Sequence, residues 1–272
     1  MPSLSIITIN LNNAFGLRKT IESVVSQTSR DFEYIVIDGG SSDGSIDIIK
    51  QYADRITYWI SEPDKGIYHA MNKGILLTKG DYCQFLNSGD WLAGTDVIEK
   101  MINTLPDCSI YYGNMLKQMP DGSVFCDKCG QGNITLYSFY RGSLNHSPAF
   151  IKRSLFEKYG LYDESLRIVS DWKWYLITVG LNNEPVGYID MAVTCFNMLG
   201  ISNSFPEIEK AERRAILAEL IPQNILADYD LHWQKIEMMK RINRYKLTRW
   251  LVCFIERVLF KLEKWRILDH DA

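Results

Sequence analysis

The feature that most limits how this chain can fold is the alternation of two hydrophobic periods over its first hundred residues. Leu4–Leu11 is a β-branched, apolar run, the pattern of a parallel strand buried on both faces. Asn12 or Asn13 can then cap a helix that places Leu17, Ile21, Val24 and Val25 on one face. Phe32–Asp38 reads as a second strand and Ser45–Tyr52 as a second, short helix. Ile56–Glu62 and Asp81–Asn87 are further strands with a helix over Ile67–Leu77 between them, and Thr95 is placed to cap a helix carrying Ile98, Met101 and Ile102. This βαβαβαβα order predicts an α/β fold with a mainly parallel central sheet flanked by helices. Ligands of such sheets bind outside the carboxyl ends of the strands, so the polar residues there are the candidates for chemistry.

The middle of the chain changes character. Ser109–Gln118 and Val124–Lys128 flank the turn formers 119–123, which predicts an antiparallel hairpin. Arg153–Tyr159 reads as a helix closed by Gly160, and Ser170–Val179 as a helix capped by Ser170. Val186–Met198 has the pattern of a strand returning to the sheet. Beyond Pro206 the chain is helical, with a break at Pro222. These limits predict one domain over 1–205 and a helical extension over 206–272.

Composition excludes several classes. With 46% hydrophobic and 23% charged residues the chain is neither disordered nor collagen-like, and a net charge of −3 argues against a dedicated nucleic-acid binder. Met1-Pro2-Ser3 runs directly into the first strand without the basic and small-residue flanks of a signal peptide. The six cysteines do not form a secreted disulfide framework, which points to a reducing cytoplasm. Cys126 and Cys129 form a lone C-x-x-C with no second pair to complete a zinc site, so they read as ordinary cysteines in a hairpin arm.

The dinucleotide fingerprint, the P-loop and H-E-x-x-H are all absent. Gly40-Ser-Ser-Asp-Gly44 matches the nucleophile elbow and would make Ser42 a hydrolase nucleophile, but a turn-rich ligand loop explains the same residues better. The acids are more informative. Asp38, Asp64 and Asp90 follow the second, third and fourth strands, each near a glycine (Gly39, Gly66, Gly89), and would converge on one crevice. Hard carboxylate oxygens suit Mg²⁺ or Mn²⁺, and those ions suit a pyrophosphate. A nucleotide bound without a P-loop is the expected ligand.

Four segments carry a specific resemblance: Ile35-Val-Ile-Asp-Gly-Gly-Ser-Ser-Asp-Gly-Ser45, Glu62-Pro-Asp-Lys-Gly-Ile-Tyr-His-Ala-Met-Asn-Lys-Gly74, Phe85-Leu-Asn-Ser-Gly-Asp90, and the pair Leu161-Tyr-Asp-Glu164 with Ser170-Asp-Trp-Lys-Trp174. In this order, over about residues 3–200, the chain resembles the family 2 glycosyltransferases with a GT-A fold. The resemblance implies a nucleotide-binding half over 1–105 and an acceptor-binding half over 106–205. It implies that Thr8 and Asn10 line the nucleotide pocket and that Asp38 meets the base or ribose. Asp64 and Lys65 would face the nucleotide, Lys65 as a phosphate contact, with Asn87 and Ser88 beside it. Asp90 would hold the divalent metal and Asp171 would be the catalytic base of an inverting transfer.

Two positions depart from the family pattern. Asn87-Ser88-Gly89-Asp90 keeps one carboxylate where D-x-D-D is common, so Asn87 and Ser88 would supply neutral oxygens. His69 stands where an Asp is common and either tunes the pH behaviour or is a tolerated helix-surface residue, the second being the preferred reading. His146 is a candidate for the donor phosphate or the acceptor, or else a structural histidine. Either Trp172 or Trp174 could stack on a sugar, but at i and i+2 of one helix they cannot both do so.

The function implied is transfer of a sugar from a nucleotide-diphospho donor, UDP-linked by preference, to a hydroxyl of a glycan or lipid-linked saccharide in surface-polysaccharide biosynthesis. The alternatives are a nucleotide-sugar-binding scaffold, motivated by the thinned acidic motif, and the Ser42 hydrolase. Last, Lys235–Arg266 holds ten Lys/Arg against three Asp/Glu, a local charge of +7 that leaves −10 for the rest. Interleaved with Trp250, Leu251, Phe254 and Ile255, it is the pattern of a helix lying on a membrane surface. A helix packed on the catalytic domain, or on a second copy in a homodimer, has the same composition; a lipid-linked acceptor tilts the reading to the membrane.

Overall fold

β1 (Leu4–Asn10) is buried at every position because it is paired in parallel on both edges, with β2 (Phe32–Asp38) on one side and β4 (Tyr82–Phe85) on the other. β3 (Tyr58–Ser61) extends the parallel half beyond β2. Past β4 the sheet turns antiparallel: β8 (Ala149–Lys152) pairs with β4 and with β6 (Ile110–Gln118). β9 (Val186–Asn197) runs parallel to β6 and carries the short edge strand β5 (Trp91–Leu92), while β7 (Val124–Asp127) forms the expected hairpin on β6. The spatial order is β3-β2-β1-β4-β8-β6-β9-β5. The computed structural model describes residues 3–104, 108–119, 121–128, 132, 134–197 and 205–270, with residues 247 and 261–270 in backbone only. Cys129 lies outside the described residues, and the five described cysteines are all free thiols.

The period-two alternation of β1 distributes its two faces. Leu4 and Ile6 pack with Leu17, Ile21 and Val24 of α1 (Ala14–Val25), Ile48 and Ile49 of α2 (Ser45–Gln51), and Val97, Ile98 and Met101 of α4 (Val97–Ile102). Ile7 faces the other way, onto α3 (Ile67–Leu77), where the helix lies so close that a Cβ on Gly74 would stand 2.5 Å from Ile7 Cγ2. Asn13 caps α1 through its side-chain oxygen, which accepts the Gly16 N–H at 3.1 Å.

Two expected caps differ. α4 starts at Val97 after Asp96, whose carboxylate pairs with Lys100; the Thr95 carbonyl instead accepts the Thr28 N–H. α7 spans Ser170–Tyr175 and continues as a π-helical turn over Leu176–Leu181, with Val169 at the cap position and no cap bond from the Ser170 side chain. The remaining helices are α5 (Leu136–Arg141), α6 (Ser154–Tyr159), α8 (Pro206–Leu220), α9 (Gln223–Asn243) and α10 (Lys246–His270). The chain divides into two compact units, Met1–Ile216 and Leu217–Ala272.

Gly80, where α3 hands over to β4, tests how tightly this half is packed. A Cβ there would sit 2.6 Å from the Leu4 carbonyl carbon and 2.7 Å from the Ser5 nitrogen, and backbone cannot move aside cheaply. Gly80→Ala is expected to lower unfolding stability by about 1–3 kcal/mol in urea. Leu76→Ala, at a side chain 73% exposed, is the control and should stay within about 0.5 kcal/mol.

Candidate active site

Four consecutive loops leave the carboxyl ends of β3, β2, β1 and β4, and side-chain hydrogen bonds join each to the next. At the centre is Asp38, the last residue of β2 and fully buried. Its Oδ1 accepts from Asn10 Nδ2 at 2.7 Å and Ser41 Oγ at 2.6 Å; its Oδ2 accepts from the Ser41 N–H at 2.9 Å and Ser61 Oγ at 2.6 Å. Burial pushes this carboxyl's pKa up, but the bonds from Ser41, Ser61 and Asn10 outweigh it and hold the group below its ordinary value. Asp38 therefore ties β1, β2 and β3 together as a charged knot, and every one of its acceptor directions is engaged by the protein.

The neighbouring loops follow from that knot. Ser41 Oγ accepts the Asn12 N–H at 2.7 Å, Asn12 Oδ1 accepts the Ser42 N–H at 2.9 Å, and Asp43 accepts the Ala14 N–H at 2.7 Å. Asn12 holds this arrangement in the left-handed region, at φ 49°. On the other side Asn13 Nδ2 donates to the Ser88 carbonyl at 2.9 Å, and Thr20 Oγ1 donates to the Asp90 carbonyl at 2.6 Å. Thr8 is fully buried, its hydroxyl bonded to Tyr34 and the Leu86 carbonyl, so it braces β1 against the β4 side from inside the core and exposes no atom to the crevice.

Asp64 sits beside this knot: a Cβ on Gly39 would lie 3.3 Å from Asp64 Oδ2. Its Oδ1 is 2.6 Å from Lys73 Nζ and 3.0 Å from His69 Nδ1, and Lys73 also reaches Glu62 at 2.7 Å. Burial opposes the Lys73 charge, but Asp64 and Glu62 outweigh it and keep the ammonium above the ordinary lysine value. This corrects the reading of His69 as an idle surface residue; it replaces the family's acid with a partner for Asp64. Lys65 is exposed at the mouth.

The adjacent face of α3 meets the candidate base. Residues 69 and 73 meet Asp64, whereas 68 and 72, also spaced i, i+4, meet the segment that leads into α7. Tyr68 hydroxyl stands 3.0 Å from Asp171 Oδ1 and bonds the Ile168 carbonyl. Burial, then the Asp171 charge, push the phenol far above its ordinary pKa, so it stays neutral beside the carboxylate. Asn72 bonds the Tyr162 carbonyl and Glu164 Oε1 at 2.9 Å each, and accepts the Tyr162 N–H at 3.0 Å. His146 Nδ1 lies 3.5 Å from Asp171 Oδ2 and its Nε2 lies 3.3 Å from Asn87 Nδ2, so His146 bridges the β4 loop and the candidate base.

α8 completes the arrangement. The Glu212 carboxylate accepts the N–H groups of Arg167, Ile168 and Val169 at 2.7, 3.1 and 3.2 Å. Arg213 lies 4.7 Å over the Trp172 ring and donates to the Gly142 carbonyl. Burial lowers its pKa, opposed by the charges of Glu209 and Asp171. Trp172 itself is 1% exposed, with its indole N–H on the Phe139 and Gly142 carbonyls. That corrects the expectation of a sugar-stacking tryptophan: Trp172 and Trp174 are both core residues. Sequence reasoning gave no role to Tyr68, Asn72, Lys73, Glu212 or Arg213. The i, i+4 spacing on α3 was the available signal for the first three; nothing local announces the α8 pair.

Ser42 is exposed, and among the described residues no histidine bonds its hydroxyl, so it lacks the base that a hydrolase nucleophile needs. The knotted strand-end loops match a known family. The model of the family "Glycosyl transferase family 2" fits residues 5–123. An uncharacterized glycosyltransferase of Mycobacterium tuberculosis is 35% identical over 193 residues, 68% of this chain and 71% of that protein. The chain belongs to glycosyl transferase family 2. A PGL/p-HBAD biosynthesis glycosyltransferase of the same organism is 26% identical over 223 residues, 78% of this chain and 84% of its own. In fold, the chain is similar to GT-A glycosyltransferases. S. aureus TarS 1–349 in complex with UDP-GlcNAc superposes with a TM-score of 0.60 at 17% identity, over 80% of this chain and 71% of that one. The mannosyltransferase PcManGT from Pyrobaculum calidifontis, in complex with GDP-Man and Mn²⁺, gives 0.61 at 15%, over 81% and 64%. Against the longer TarS crystal structure the match spans 39% of that chain.

The Asp38 knot has a pH signature. A folded-state pKa below the unfolded value gives stability that is present above the unfolded pKa and lost as pH falls towards the folded one. The stability gap between the wild-type glycosyltransferase and Asp38→Asn, read by urea unfolding, should be constant above pH ~5 and shrink below pH ~4.

Proposed function

We propose that the chain is an inverting transferase that moves a sugar from a nucleotide-diphospho donor, UDP-linked by preference, to a hydroxyl of a saccharide or lipid-linked saccharide. The observation that carries this reading is the placement of Asp171 beside α3, the helix whose His69 and Lys73 meet Asp64, with Tyr68 bonded to its Oδ1 and His146 3.5 Å from its Oδ2. Asp171 Oδ2 takes the proton of the acceptor hydroxyl as that oxygen attacks the anomeric carbon, and the nucleoside diphosphate leaves from the opposite face. The bond to the acceptor forms as the bond to the diphosphate breaks, so the configuration inverts. Tyr68 holds Asp171 Oδ1 and leaves the other oxygen to the acceptor; Glu212 fixes the turn before it, so the carboxylate is oriented before substrate arrives.

On the donor side Asn10, Asn87, Ser88, Asp64 and Lys65 line the four-loop crevice, with Lys65 offering charge to phosphate. The knot at Asp38 shapes that crevice; a direct bond from Asp38 to the nucleotide would exchange one of its four protein donors. UDP is favoured by analogy with TarS in complex with UDP-GlcNAc. A role in building surface glycans is suggested by the relative named for PGL/p-HBAD biosynthesis. The free described cysteines suit a cytoplasmic setting, and among the described residues no helix is long and apolar enough to cross a membrane.

A divalent cation, Mn²⁺ or Mg²⁺, fits the residues present. Among the described residues no three His, Cys, Asp or Glu side chains cluster as a metal cage, but these ions are commonly held by one or two carboxylates together with substrate phosphates. Asp90 would supply one carboxylate, and the buried Asn87 Oδ1, which has no hydrogen-bond partner in the protein, would supply a neutral oxygen. When bound, the ion would offset the negative charge gathering on the diphosphate.

The test is turnover across UDP-, GDP- and dTDP-sugars with Mn²⁺, Mg²⁺ or EDTA, with product configuration read by NMR. Asp171→Asn should lower kcat by about 100- to 10,000-fold while donor binding is kept, and Asp90→Asn should raise the metal requirement. Retention of configuration would sink the inverting mechanism, full activity in EDTA would remove the role of Asp90, and donor binding without any turnover would leave a scaffold.

A further inference from the structure

We propose that α10 is an interfacial helix that docks the chain on an anionic lipid surface. The helix carries large apolar side chains in the open: Trp250, Phe254 and Leu259 are 60%, 53% and 53% exposed, and Leu251, Ile255 and Val258 are 42%, 52% and 40% exposed. At 3.6 residues per turn these six positions fall within an arc of about 180°, ordered Trp250, Phe254, Val258, Leu251, Ile255, Leu259. Trp250 and Phe254 stack at its edge, ring centroids 5.6 Å apart. Lys246 and Arg257 lie next to that aromatic edge on the helical wheel, with the exposed Phe260 and then Arg249 further round. An aromatic boundary between an apolar face and a basic face is the arrangement that seats a helix at the level of lipid headgroups.

Charge decides what covers the face. Lys235–Arg266 carries +7, while the rest of the chain carries −10. Pairing the face with the same face of a second copy would bring two helices, each with six Lys/Arg against three Asp/Glu over Lys246–His270, within a Debye length of about 10 Å. An anionic bilayer offers an apolar layer and negative headgroups together, which meets both requirements of the helix. Part of that basic charge lies on α9, where an open groove is lined by Lys235, Lys240 and Arg244 beside Ile236 and Met239. Each Lys or Arg near an anionic surface strengthens binding about fivefold, so a handful is enough to hold a helix whose apolar face alone would bind weakly.

The experiment is co-sedimentation of the full chain with vesicles of phosphatidylcholine alone, or of phosphatidylcholine with phosphatidylglycerol, at low and high salt. Binding is expected to the phosphatidylglycerol vesicles and not to phosphatidylcholine alone, and is expected to weaken with salt. Lys246→Glu with Arg257→Glu should lower it about 30-fold or more, and Trp250→Ala with Phe254→Ala should abolish it. All four positions lie outside the proposed active site, so donor binding and thermal unfolding should be unchanged; the charge pair keeps the test decisive should the apolar pair lose helix by circular dichroism. Absence of binding to phosphatidylglycerol vesicles overturns the proposal, as does binding indifferent to both pairs. A dimer by light scattering that dissociates in Trp250→Ala with Phe254→Ala, without vesicle binding, assigns the face to a second copy. Vesicle binding reads no turnover, so this result and the test of the transferase stand apart.

Discussion

A carboxylate removed from water is costly, and Asp38 is tolerated in the sheet's interior because four protein donors replace its hydration. That condition dictates much around it. Asn10 must end β1 with its amide pointing across to β2, Ser61 must end β3, and the chain after Asp38 must turn at once so that Ser41 can supply both its N–H and its hydroxyl. Ser41 in turn accepts the Asn12 N–H and so fixes the loop above β1. One buried charge thus sets the conformation of three strand-end loops, and a crevice built this way is shaped before any ligand enters.

α3 extends the same logic across the molecule. Its two i, i+4 pairs look in different directions, His69 and Lys73 to Asp64, Tyr68 and Asn72 to the segment that delivers Asp171. A helix is stiff over three turns, so the distance between the two halves of the site is fixed by one element. Gly74 lets that element sit directly on β1. The segment before α7 has no cap of its own and takes its acceptor from Glu212 on α8. Up to Ile216, α8 is therefore part of the machinery that orients the candidate base.

How much of this was legible follows from range. Strand and helix periods are local, and β1, β2, α1 and α3 lie within a residue of where the sequence places them. The acids at the strand ends were legible too, since their position follows from the strands. What could not be read was the destination of each side chain. Thr8 alternates into the core because of which face the helices cover, and Trp172 is buried because Arg213, forty-one residues later, lies over its ring. His69 looked idle until the turn at Gly66 brought Asp64 back beside it. Thr95 lost the cap to Asp96 by one residue, a margin that propensity does not resolve.

The single carboxylate of the β4 loop then has a physical reading. A nucleoside diphosphate is strongly anionic, so each acid in the crevice weakens donor binding unless a cation answers it. Here Asp64 is answered by the Lys73 ammonium and Asp38 is buried and bonded by neutral donors, so neither carries an exposed full charge. With Asn87 and Ser88 in place of further acids, the β4 loop carries one carboxylate, that of the buried Asp90, while Lys65 stands exposed. Such a crevice repels a diphosphate less than a fully acidic one does. The thinned motif is thus compatible with the proposed transferase, because Asp64 is paired by Lys73 and Asp38 is buried within its own hydrogen bonds.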